Sequence, residues 1–200
     1  MTATVTLDGR TVVAVCPDEL DVAARSLLAK LAELHARGPK LHPGSLVDFG
    51  WAPLRIDEQD GEWIVCEPDF SRDDVAFTRG VAVTLRVLRD QTRIVELGRA
   101  KPEATRHDDG VLVASDLWDA PKSIAIRGKP AKKHDSGWSF VPDEDGAVAT
   151  EWMRAGRLAI ARPGLSSVLM LPQDWSASFE GDRVLAIYDP DMNKIVAEAS

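Results

Sequence analysis

The chain has 200 residues, 44% of them hydrophobic, enough for one large domain or two small ones with a real core. Its formal net charge is -8, a balance that repels nucleic-acid phosphates and anionic membrane surfaces and suits a basic protein partner. Two cysteines, Cys16 and Cys66, are too few for a disulfide framework and lie outside any metal-ligand spacing, so buried free thiols are expected. The first residues lack a basic start and an apolar core, and no apolar run reaches membrane-spanning length. A cytoplasmic protein is the expectation.

Residues 2–7 and 11–16 are β-branched segments joined at Asp8-Gly9, a hairpin signal. Residues 18–37 read as a helix: Asp18, Glu19 and Asp21 suit its positive end, and Gly38-Pro39 stops it. Leu20, Ala24, Leu27, Leu28, Leu31 and Leu34 form its apolar face. Residues 46–56 and 62–67 read as strands around a second turn, Asp60-Gly61. A second helix is predicted over 78–97, with Val81, Leu85, Leu88 and Val95 on one face and Arg79, Arg86, Arg89 and Arg93 on the other. The charged, proline-containing stretch 99–110 reads as a linker.

Beyond it, residues 111–115, 123–127, 137–141, 157–161, 184–188 and 194–197 read as strands, and 147–155 as a short helix broken at Gly156. Residues 128–135 form a basic loop with Lys129, Lys132 and Lys133. The fold class expected is α+β: largely antiparallel strands, two longer helices in the N-terminal half and a small mixed sheet in the C-terminal half. The domains expected are 1–105, an α+β module of unassigned role, and 106–200.

Recognition chemistry outweighs reaction chemistry in this chain. His35, His42, His107 and His134 form no H-x-H or H-x-x-x-H pair, and no glycine-rich phosphate loop occurs. His107-Asp108-Asp109 reads as a solvated turn. His134, Asp135 and Ser136 have the residue types of a triad, but adjacent residues cannot all aim at one reacting atom. No catalytic residue, cofactor or metal ligand is assigned. Trp51, Trp63 and Trp118 sit among apolar residues and read as core. Trp138, Trp152 and Trp175 have polar neighbours and suit a surface platform or the core edge. Ser136-Gly137 is turn chemistry, with Gly137 expected at positive φ. Trp138 and Phe140 share a strand face, and Asp143-Glu144-Asp145 follow as an acidic loop.

The strand 111–115, the strand ending Ile124-Ala125-Ile126-Arg127 near Pro130, then Asp135-Ser136-Gly137-Trp138-Ser139-Phe140 and Asp143-Glu144-Asp145 form a pattern. Over roughly residues 108–180 it resembles a bacterial immunity-protein domain of polymorphic toxin systems. Ile126 before Arg127, Gly128-Lys129 after it, and Pro142 before the acids depart from that pattern. The resemblance implies a non-enzymatic module that binds and neutralises a cognate toxin, with a basic protein as the expected partner. The partner-binding residues expected are Arg127, His134, Asp135, Trp138, Asp143, Glu144 and Asp145. An enzyme or small-molecule-binding domain using scattered carboxylates and tryptophans is the alternative.

Overall fold

The computed structural model describes residues 1–72, 75–144 and 149–196. Contacts divide the chain into two compact units, Met1–Arg89 and Asp90–Ser200. The stretch 99–110 falls inside the second unit.

In the first unit β1 (Thr2–Leu7) and β2 (Arg10–Val15) form the expected hairpin. Asp8 and Gly9 both hold positive φ, 47° and 81°, as a two-residue type I′ turn requires. A 3-10 turn at Asp18–Leu20 leads into α1 (Asp21–Arg37). Strands β3 (Leu46–Asp48), β4 (Pro53–Gln59), β5 (Glu62–Pro68) and β6 (Phe77–Arg79) complete a sheet ordered β1-β2-β5-β4-β3. β6 pairs with the far end of β5, and the β2–β5 pair is parallel. Asp60 and Gly61 repeat the hairpin geometry at φ 53° and 82°.

Leu20, Ala24, Leu27, Leu28 and Leu31 bury against Leu54, Ile56 and Val65 of the sheet. Leu34, expected on that face, is partly exposed, and His35 is buried instead. Leu41 N–H donates to His35 Nδ1, so Nε2 carries the proton and donates to Asp8 Oδ2 at 3.0 Å. That bond, with Lys40 beside it, holds the Asp8 carboxyl below its ordinary range. His35 therefore pins the first hairpin to the end of α1.

Residues 78–79, expected as helix, belong to β6, and α2 spans Ala82–Gly98. Their β-branched and aromatic neighbours favour the ladder with β5. Glu67, at the end of β5, accepts from Val83 N–H at 3.1 Å and Thr84 N–H at 2.7 Å, capping the start of α2. Burial pushes this carboxyl above its ordinary value, against those two bonds.

The second unit holds β7 (Gly110–Ala114), β8 (Lys122–Arg127), β9 (Asp135–Pro142), β10 (Thr150–Arg154), α3 (Ala155–Ala161), β11 (Ser176–Glu180), β12 (Arg183–Tyr188) and β13 (Lys194–Val196). Its sheet is ordered β10-β7-β9-β8-β11-β12-β13, with β7 and β9 parallel and the other pairs antiparallel. The α+β class and the mixed character stand, but a seven-stranded sheet is not small. Two expected elements are exchanged. Of the stretch 147–155 read as a helix, 149–155 are described: Thr150–Arg154 form strand β10 and only Ala155 is helical, while 157–161, read as a strand, is helical. Ala155, Leu158 and Ala159 are buried at spacings of three and four, the helical period. Gly156 does not break α3; its N–H donates to His107 O.

The supposed linker is tied down along its length. Glu103 N–H donates to Met170 O, Arg106 N–H to Asp109 Oδ2, Ala155 N–H to Asp109 O, and Gly110 N–H to His134 O. Its charges and prolines reflect these backbone tasks rather than a free tether. No helix among the described residues is long and apolar enough to cross a membrane.

Candidate functional site

The expected site is organised by β9, whose residues alternate inward and outward. Ser136, Trp138 and Phe140 are buried, while Gly137, Ser139 and Val141 are half-buried on the other face. Trp138 and Phe140 stack with ring centroids 6.0 Å apart, as their spacing predicts. Trp138 is 0% exposed, so the anchor expected at the partner surface is a core residue. Its polar neighbours misled because in a strand they point the other way.

Arg127 is likewise interior, 3% exposed, and pairs across the ladder with Trp138. Its guanidinium donates to Ser136 O at 3.1 Å, Glu103 O at 2.8 Å and Leu171 O, and meets Glu103 Oε1 at 3.1 Å. Its carbon lies 5.9 Å from the Trp138 ring centroid. Burial lowers the Arg127 pKa, and the Glu103 carboxylate opposes that shift. Arg127 is a strut joining three chain segments, not a residue offered to a partner. Glu103, inside the supposed linker, is the member of this knot that sequence reading missed.

Gly137 has the expected positive φ, 77°, but it lies within strand β9 rather than in a turn. A Cβ there would collide with the carbonyl oxygen of Gly128, whose own N–H donates to Gly137 O at 2.9 Å. Asp135 accepts from Ala131 N–H at 2.7 Å and Gly137 N–H at 2.8 Å, which shapes the basic loop. Ser136 Oγ donates to Gly110 O at 2.7 Å and accepts from Trp138 N–H. His134, exposed at φ 61°, has Nδ1 3.7 Å from Asp109 Oδ1.

Asp143 and Glu144 are exposed at the opposite end of β9. Asp145 lies outside the described residues. Eight residue steps along a strand separate Asp135 from Asp143 by about 26 Å, so the expected site residues do not converge. Among the described residues no group of three His, Cys, Asp or Glu side chains is placed to hold a metal.

The exposed aromatic lies elsewhere. Trp152, on β10, is 48% exposed, whereas Trp175, the other platform candidate, is buried. Trp51 and Trp63 are core as expected, and Trp118 is half-buried. Trp152 heads a cross-strand row through Leu112, Ser139, Ile126, Ser176, Tyr188 and Lys194 on the more open face of the sheet. Lys132 Nζ sits 4.5 Å from its ring centroid, within cation–π range. This neighbourhood joins the basic loop to the edge strand across 20 residues of sequence, so no local pattern announces it.

Compared with protein-family models, curated proteins and solved structures, the chain gives no match.

Proposed function

We propose that the chain is a non-enzymatic protein-interaction module, an immunity protein that binds and neutralises a cognate bacterial toxin. One observation carries this reading: the exposed large hydrophobic residues of the described chain include a single aromatic, Trp152, on an edge strand beside charged loops. An exposed aromatic with a polar surround is the usual make-up of a protein-binding centre. The pattern shared with immunity-protein domains adds support, since Arg127, Ser136, Gly137 and Trp138 act together as one structural knot. The expectation of a basic partner rests on the net charge of -8 and on Trp138 adjoining three acids in sequence; the burial of Trp138 removes the second ground only. The free, buried thiols of Cys16 and Cys66 fit action in the reducing cytoplasm.

The test is co-expression of the full chain with the reading frame encoded beside its gene. Restored growth together with a stoichiometric complex on gel filtration is the expected result. A toxic neighbour that the chain neither binds nor silences would overturn the reading.

A further inference from the structure

β10 is the terminal strand of its sheet: among the described residues it pairs with β7 alone. Thr150, Glu151, Trp152 and Arg154 are exposed. A terminal strand presents unpaired N–H and C=O groups to which another extended chain can add. Trp152 gives this edge an apolar contact. Gly110, its neighbour on β7, leaves the ring its space: a Cβ there would stand 2.7 Å from Trp152 Cε3.

The charge beside the ring is positive. Lys129, Lys132, Lys133 and His134 are exposed on the loop that leads into β9, and Lys132 lies over the ring. The nearby carboxylates are committed. Asp135 is held by two backbone N–H groups of the loop, and Asp109 by Arg106 N–H. Glu151 shares a row with Val113 and Phe140, and so lies on the face opposite Trp152. A lysine over an exposed aromatic, on a loop with two further exposed lysines, is a local inversion on a chain of net charge -8.

We propose that the β10 edge is a docking site for an extended acidic segment of a protein partner, added as a further strand with Trp152 as its anchor. The inference rests on the protein-interaction reading above and adds the partner's local chemistry. A protein strand fits better than nucleic acid, because it satisfies the edge's backbone groups and carries fewer charges into the field of an acidic chain. A second copy fits poorly, since pairing β10 with itself brings two lysine loops together.

The probes are fluorescein-labelled peptides, (Glu-Val)4 and (Lys-Val)4, and the single-stranded oligonucleotide dT12, titrated into the full chain and followed by anisotropy. Saturable binding of (Glu-Val)4 alone is expected, with amide shifts confined to β10 and loop 128–135. Trp152→Ala should weaken it at least about tenfold. Lys132→Glu with Lys133→Glu should abolish it or invert the preference toward (Lys-Val)4. Both changes are at exposed positions, and melting curves confirm folding. Absence of (Glu-Val)4 binding, binding that ignores Trp152→Ala, preference for dT12, or a dimer by sedimentation that Trp152→Ala abolishes would each overturn the proposal. Toxin neutralisation that survives Trp152→Ala would also overturn it while leaving the proposed function intact. Loss of neutralisation altogether with retained peptide binding would do the reverse.

Discussion

Among the described residues each unit buries one strongly charged side chain, and the two are held in opposite ways. Glu67 in the first unit takes two backbone N–H donors at the start of α2. Arg127 in the second gives its donors to three backbone carbonyls and one carboxylate. Burial disfavours the charged form of both, raising the Glu67 pKa and lowering that of Arg127. The outcomes differ because a buried carboxylate can relieve its charge by taking up a proton and a guanidinium cannot lose its own. The first unit can relieve its buried charge, while the second must ligate it fully. Sensitivity to pH therefore belongs to the Glu67 cap, and intolerance of substitution to the Arg127 knot.

The sharpest way to break this contrast is Arg127→Ala. It leaves three carbonyls without their donor and should destabilise by about 3–5 kcal/mol in denaturant unfolding. A loss below about 1 kcal/mol would show that the knot is not needed. Gly137→Val should cost about 2–3 kcal/mol, since φ 77° and the Gly128 carbonyl both exclude the side chain. Native stability in that variant would mean that β9 can rearrange around residue 137.

For Glu67 the expected effect is smaller and depends on pH. Because its folded pKa lies above the ordinary 4.5, its contribution to stability is fully present below that value and fades as pH rises through the folded pKa. Glu67→Gln cannot ionise. Wild-type stability, relative to this variant, should decline as pH rises above the ordinary value of 4.5. A difference that stays constant across that range would contradict the assignment. Least disruptive is a labelling test. Burial pushes the Cys66 thiol up to about 11, and Cys16 is also buried and raised. A thiol reagent at pH 8 should label neither in the native chain and both after unfolding. Rapid native labelling would show that the first unit, which holds both thiols, opens readily.

The sequence discloses most where local chemistry decides alone. Asp8-Gly9 and Asp60-Gly61 demand positive φ at both positions, and so they announce hairpins without help from the rest of the chain. Gly137 is legible for the same reason. Trp138 is not, because which face of β9 is buried depends on β7 and β8, which lie upstream in the chain. The exchange of elements at 149–161 has a similar origin: Arg157–Ala161 alternates like a strand, but Ala155, Leu158 and Ala159 select the helix once there is a core to meet. The stretch 99–110 looks like a tether because its partners, Met170, His134 and Arg127, are remote. The candidate docking edge was hidden by distance too, with Lys132 and Trp152 on separate elements.

The reach of Arg127 also sets a schedule for synthesis. The Leu171 carbonyl that it engages is made 44 residues later. At about 5–20 residues per second, the guanidinium waits on the order of 2–9 seconds for that ligand. Through that interval the guanidinium has its Glu103 and Ser136 partners available but not the Leu171 carbonyl that completes the knot. Silent codon changes that slow translation between 127 and 171 would lengthen the wait, so the yield of folded protein becomes a matter of ribosome pace as well as of sequence.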